Sequence, residues 1–262
     1  MSTFSTCTSI ARPSSPNDGD VLFETDTKNI IIWDGSAWRG YQNDGTFASY
    51  VYSTNTHSAS FDGSNDTITL GSNVPILSSA TTFSVSLWVR PVSGFGILSS
   101  GTSTSTLFDI TWQSSVIRMR MGGTSGGRTL DTSGTLSTNT WYHYTFTFNN
   151  QSAKCYLDGT LSNSKTITPT STTSTTGTNL TLGELIWTGG FYYQGHTDEV
   201  ALFDYELSAT QVSNIYNNKA YNNPYAVWRL ENNANDEFGN LNGTNNGATF
   251  EAKADDPAHT PY

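Results

Sequence analysis

The sequence predicts an all-β protein, an antiparallel two-sheet sandwich of jelly-roll type with a small β-hairpin unit at its N-terminal end. Three observations carry that prediction. Phe83-Ser-Val-Ser-Leu-Trp-Val alternates without a break, with Phe83, Val85, Leu87 and Val89 on one face and Ser84, Ser86, Trp88 and Arg90 on the other. Trp141-Tyr-His-Tyr-Thr-Phe-Thr-Phe repeats the pattern, with Tyr142, Tyr144, Phe146 and Phe148 sharing a face, so each segment reads as a half-buried antiparallel strand. The composition agrees: 23 glycines and only 13% charged residues lack the Ala/Leu/Glu/Lys surface of helical proteins, while 13% aromatics is too many for a disordered chain.

In chain order, residues 19–40 read GDVLFETDTKNIIIWDGSAWRG. Two β-prone runs, Val21–Glu24 and Ile30–Trp33, flank Asp26-Thr-Lys-Asn, and Asp34-Gly35 turns before Trp38. A unit of this size, about residues 1–45, rarely holds a fold unaided and is expected to lean on its own main domain or on another chain. From about residue 46 to 250 short strands follow one another, among them Val116–Met121 and residues 154–157, 180–182 and 200–203, with turns at Met121-Gly-Gly, Asp158-Gly159 and Gly189-Gly190. One helix interrupts them. Leu207-Ser-Ala-Thr-Gln-Val-Ser-Asn-Ile-Tyr has Ser208 as N-cap, Gln211 three residues on as a capping box, and Val212, Ile215 and Tyr216 on one face. The Thr/Ser tract over 166–178 reads as a long exposed loop. Residues 225–250 return to strand and turn chemistry, and with no room left for another module they are expected to fold back onto the sandwich; residues 251–262 read as a polar tail.

Charge narrows the function classes. Twelve Lys+Arg against 22 Asp+Glu leave a net charge of −10 with no basic run, which argues against nucleic acid and against anionic membrane surfaces as partners. The opening MSTFSTCTSI has neither a basic n-region nor an apolar h-region, and nowhere do about 18 apolar residues run together, so a soluble chain without an export signal is expected. Cys7 and Cys155 are too few for a disulfide framework and lack metal-ligand spacing; both are expected to be free thiols in a reducing compartment.

Five segments read together carry a resemblance: SASFDGSNDTITL (58–70), FSVSLWVRP (83–91), TWYHYTFTF (140–148), KCYLDGTL (154–161) and YYQGHTDEVALFDYELSATQVSNIYN (192–217). In this order and spacing they resemble the laminin-G-like branch of the concanavalin A-like lectin/glucanase superfamily, which implies a two-sheet jelly roll. The chain departs from the family pattern at 228–250: the W-x-L to G-A-T-F segment that commonly opens such domains here follows the jelly roll. The leader RPSSPNDGDVLFETDTKNIIIWDGSAWRG resembles the hairpin module of bacteriophage tail-fibre and other virion proteins. Together with the acidic, Ser/Thr-rich composition, it is similar to structural proteins of marine and cyanobacterial phages.

Two constellations are candidates for binding. Asp62, Ser64 and Asp66 place oxygens at i, i+2 and i+4, as Ca²⁺ favours, and the resemblance sets Asp198 and Glu199 near that loop to complete a shell; the alternative is plain turn chemistry. Trp187, Tyr192, Tyr193, Gln194 and His196 surround a Gly-rich turn and offer rings beside polar groups, as sugars require, the alternative being that alternate rings fill the core. A catalytic role has little support. Glycosidases of the superfamily cluster carboxylates as in E-x-D-x-x-E, which is missing here, and Asp198 and Glu199, being adjacent on a strand, are expected to face opposite ways. No G-x-S-x-G elbow marks a nucleophile, and His143 reads as a packed or surface histidine.

The expected function is therefore that of a non-enzymatic phage virion structural protein, a capsid decoration or a component of a fibre or tail appendage, displaying a lectin-like jelly roll. Its partners would be other virion proteins and sister subunits in a homo-oligomer, with a trimer as the analogy. The alternatives are an adhesin for a host-surface polysaccharide and, third, a glycoside hydrolase.

Overall fold

The alternating segments form strands in two packed sheets. A computed structural model describes residues 5–7, 12–17, 20–24, 30–33, 38–41, 47–48, 55–72, 74–77, 81–102, 105–122, 128–168, 179–186, 189–218, 221–237 and 241–252. At the N-terminal end β1 (Ser5–Cys7), β2 (Val21–Glu24), β3 (Ile30–Trp33), β4 (Trp38–Tyr41) and β5 (Phe47–Ala48) form a five-stranded sheet in that order, β1 parallel to β2 and the rest antiparallel. The expected hairpin is thus the centre of a larger sheet, with its own core of Leu22 and Ile31 against Cys7 and Trp33. Because β5 pairs with β4, the unit extends past the expected boundary at 45.

The sandwich follows. Its strands are β6 (His57–Asp62), β7 (Thr67–Gly71), β8 (Thr82–Gly94), β9 (Gly96–Thr102), β10 (Ser105–Gln113), β11 (Val116–Met121) and β12 (Thr129–Asp131). They continue with β13 (Tyr142–Asn149), β14 (Ser152–Leu157), β15 (Thr160–Thr166), β16 (Asn179–Leu182) and β17 (Tyr193–Phe203); then come helix α1 (Ala209–Asn218), β18 (Ala226–Trp228), β19 (Thr244–Asn246) and β20 (Thr249–Ala252). One sheet has seven strands in the order β12-β11-β10-β9-β16-β7-β19, the other eight, β15-β14-β13-β8-β17-β6-β20 with β18 beside β17. Between them Phe83 of the eight-stranded sheet meets Phe108 of the seven-stranded one at 5.2 Å and Phe146 of its own at 5.8 Å. Each such ring contributes roughly 1.5–3 kcal/mol by leaving water. The Asp158-Gly159 turn has positive φ at both residues, 48° and 75°, the type I′ geometry that matches strand twist.

The outer face of β8 and β13 departs from expectation. These strands are buried on both faces, because α1 lies across the side that carries Ser84, Ser86, Trp88 and His143. Val212 and Ile215 of α1 pack with Phe203, Leu207, Tyr221 and Val227 in a second core, and Tyr216 stacks on Trp88. Ser84 and Ser86 tolerate this because their hydroxyls are bonded: Ser84 Oγ donates to the Tyr205 carbonyl and accepts from the Leu207 amide, and Ser86 Oγ meets His143 Nε2 at 2.8 Å. The capping box forms as read, Ser208 N to Gln211 Oε1 and Gln211 N to Ser208 Oγ.

Residues 226–252 lie along the sandwich at three places, β18 on β17, β19 on β7 and β20 on β6. Trp228 is fully buried between the sheets, its Nε1 donating to the Leu241 carbonyl. Since β20 pairs through Ala252, the strand continues into the stretch read as a tail. The front of the Thr/Ser tract ends edge strand β15; residues 169–178 lie outside the described residues. Among the described residues no helix is long and apolar enough to cross a membrane.

Candidate functional site

Strand alternation places a polar row on the outer face of the seven-stranded sheet. Along β10, Phe108, Ile110 and Trp112 go into the core, so Asp109, Thr111 and Gln113 face out. Along β11, Ile117, Met119 and Met121 go in, and Arg118 and Arg120 face out. The register sets Asp109 opposite Arg120 and Thr111 opposite Arg118, and Thr129 of β12 lies beside Arg120. These side chains floor a groove of about 180 Å³ whose far wall is Phe95, Leu185 and Phe191.

That wall is held by backbone. Ser99, outward on β9, donates from Oγ to the Glu184 carbonyl at 2.8 Å and accepts the Ile186 amide at 3.1 Å, pinning the loop after β16 across the sheet. Only glycine fits beneath it: a Cβ on Gly96 would sit 2.3 Å from the Glu184 carbonyl carbon. The Phe191 carbonyl accepts from the amides of Gly96 and Leu185, and the Tyr192 carbonyl from Phe95. The Phe95 and Phe191 rings consequently meet edge to face at 5.3 Å, and Phe191 stays 44% exposed although it is a large apolar residue.

The floor is charged yet balanced. Arg118 donates from Nε and Nη2 to the two Asp131 oxygens at 2.7 and 2.8 Å and from Nη1 to Gln113 Oε1. That hydrogen bonding holds its guanidinium above the usual pKa against the opposing effect of burial. Arg120 donates from Nε and Nη2 to Asp109 Oδ2 at 3.0 and 2.8 Å. On the loop above, burial pushes the Glu184 carboxyl up. An exposed ring beside planar donors and hydroxyls is what a sugar needs, its C–H face lying on the ring and its hydroxyls bonding to polar groups.

The family follows from the sandwich that carries this groove. A model of the laminin G family of the concanavalin A-like lectin/glucanases superfamily matches residues 61–213. The chain belongs to this superfamily. Among solved structures, a heptameric SAP-like pentraxin from Limulus polyphemus is similar over 76% of this chain and 95% of its own, at 14% identity and a TM-score of 0.53. A candidate carbohydrate-binding protein from Bacteroides ovatus is similar over 90% of this chain and 70% of its own, at 15% identity and a TM-score of 0.55. At these identities the two share the fold. No curated protein sequence is a match.

Within this concanavalin A-like sandwich, the rings expected to bind sugar part company. Tyr193 is fully buried against Phe61, its hydroxyl donating to the His196 carbonyl, and is a core residue because β17 turns it inward. Gln194 accepts from Ser93 Oγ on the outer face of the eight-stranded sheet, away from the groove. His196 lies on that face too, 6.1 Å from the Trp141 ring, and burial lowers its pKa. Tyr192 bridges to Glu184 and serves the groove through its carbonyl; Trp187 lies outside the described residues. The aromatic turn does border the groove, but its contributing ring is Phe191. The floor itself is absent from the sequence reading. A signal was present in VIRMRM, where a Ser/Thr-rich chain spends two of its 12 basic residues on one polar strand face opposite Asp109.

The five residues expected to hold Ca²⁺ do not form one shell. Asp62 Oδ1 accepts the Ser64 amide at 2.7 Å and Asp66 Oδ2 the Asp62 amide at 2.9 Å, so this loop spends carboxylate oxygens on its own turn. Asp62 pairs with Gln194, which leaves Asp198 four positions further, about 13 Å along the strand. Among the described residues no group of three or more His, Cys, Asp or Glu is placed to hold a metal ion. Asp198 and Glu199 also overturn the expectation that they face opposite ways. The register of β17 against β8 shifts between Asp198 and Ala201, with Glu199 at φ 47°, and one Asn55 amide nitrogen reaches both carboxylates at 2.9 Å. Both are nonetheless buried, and Glu199 is tied to Tyr221 Oη and to Arg229. Glu199 thereby anchors the bulge to the segment after α1, while both carboxylates hold Asn55. His143 is packed beneath α1, one of the two placements expected for it.

Proposed function

We propose that the chain is a non-catalytic glycan-binding protein whose site is the groove on the outer face of the seven-stranded sheet. The observation that carries this reading is the exposed Phe191 ring, set edge to face with Phe95 over a floor of fixed Arg, Gln and Thr groups. The ring packs on Phe95 by one edge and leaves the rest of its surface in solvent, where a sugar C–H face would cover it. The likeness to a candidate carbohydrate-binding protein from Bacteroides ovatus is compatible with the reading. The absence of catalysis is supported by the floor. Asp109 is the one carboxylate lining the groove among the described residues, and it is already bonded to Arg120, whereas a glycosidase needs two working carboxyl groups. The test is a glycan array with the purified chain. Specific binding that Phe191→Ala weakens about tenfold, with an unchanged melting temperature, supports the reading; no binding, or binding indifferent to Phe191→Ala, overturns it.

A second reading concerns where the protein works. The likeness of residues 12–40 to a phage hairpin module, and the separate Leu22/Ile31 core of the five-stranded sheet, favour an attachment unit carrying the jelly roll on a virion. Light scattering after size exclusion tests this: a stable closed oligomer supports a fibre or capsid component, and a monomer counts against it.

A further inference from the structure

We infer that the groove selects neutral sugars over those bearing carboxylate or sulfate groups. The inference rests on the glycan-binding reading above and adds its ligand class. Two arginines in a sugar-sized groove would ordinarily point to an acidic ligand, since guanidinium and carboxylate pair bidentately. Here both are already taken. Arg118 spends Nε and Nη2 on Asp131, and Arg120 spends the same two nitrogens on Asp109. The four formal charges cancel, so an incoming anion meets a carboxylate beside each guanidinium and gains little net Coulomb energy. At longer range the net charge of −10 repels a polyanion, most strongly at low salt.

What the pairing leaves is a rigid set of neutral-acting partners. Arg118 has five N–H donors, of which three are spent on Asp131 and Gln113, so two remain for a ligand on a guanidinium held by three bonds. Gln113 has its carbonyl occupied by Arg118, which leaves its NH₂ as the donor end. Hydroxyl groups accept such bonds without bringing a charge. At about 180 Å³ the groove is smaller than the roughly 300–1,000 Å³ of sites that enclose a drug-sized ligand, so it holds about one ring of a longer chain.

The test is affinity electrophoresis and calorimetry of the full chain against two sets of soluble polysaccharides, at about 20 mM and about 0.5 M NaCl. The neutral set is xylan, β-glucan, mannan and galactan; the anionic set is alginate, polygalacturonate and chondroitin sulfate. Expected is binding within the neutral set, with a Kd that changes less than about twofold between the two salts. Asp131→Asn, at a half-exposed edge position, uncovers Arg118 and is expected to gain salt-sensitive binding to the anionic set of about tenfold. Wild-type preference for the anionic set, weakening with salt, overturns this inference and leaves glycan binding standing. Failure to bind either set, with the array also blank, overturns both.

Discussion

Glu206 shows how one side chain ties the start of α1 to the sheet. Lys154 first, and Asn149 second, hydrogen-bond its carboxylate and hold its pKa below the usual range. A lowered carboxyl pKa stabilises the fold above the unfolded value and loses that contribution as pH falls through the folded one. Glu206→Gln is therefore expected to lower the melting temperature at neutral pH by the equivalent of under about 1 kcal/mol, with the gap from wild type closing in acid. A gap that stays constant down the pH series would remove the ion pair as its cause. At this scale the sequence is legible where period and burial agree and silent where a single residue breaks the period. Tyr193 goes inward as strand alternation allows, but the pairing of Asp198 with Glu199 depends on Glu199 adopting φ 47°, which no local pattern announces.

Helix α1 and the loop over the groove behave differently as elements. The helix is written locally: cap, box and apolar face lie within a dozen residues, and all three form. Ser208→Ala is expected to lose about 1 kcal/mol of stability in chemical denaturation, with glycan binding unchanged, since α1 covers the other sheet. The loop wall is not written locally. It depends on Gly96 in one strand leaving room for the backbone at Glu184 and Leu185 in a segment far along the chain. Gly96→Ala is expected to destabilise by about 1–3 kcal/mol and to abolish binding in the glycan array; a variant that binds normally would show that the wall does not shape the site. The strands around this site were the least legible, because β9 and the start of β10 are Ser/Thr/Gly-rich and resemble the loops between strands.

Across the whole molecule the two sheets are closed by residues distant in sequence. The segment after α1 pairs with β17, β7 and β6, and its Trp228 lies in the core between the sheets. A chain ending at Asn222 loses that ring and three strands, a loss comparable to the roughly 5–15 kcal/mol that stabilises a domain, and is expected to show no cooperative thermal transition by circular dichroism. A truncated chain that melts like the intact one would make the segment an accessory. The superfamily match covers residues 61–213, and the segment beyond it is joined to the sandwich by the pairing of β19 with β7 and of β20 with β6.

By itself the sequence determined the fold class, the inward faces of β8 and β13, and the helix with its cap, because each follows from period or capping chemistry. Tertiary structure alone decided the rest. It covered an outward strand face with α1, put both carboxylates of Asp198 and Glu199 on Asn55, and chose Phe191 over Tyr193 as the exposed ring. It also assembled the groove floor from Asp109, Gln113, Arg118 and Arg120 across two strands, with Asp131 behind them. A binding surface on a sandwich is a property of cross-strand register and of loops laid over a sheet, and neither is encoded in the residues next to one another in the chain.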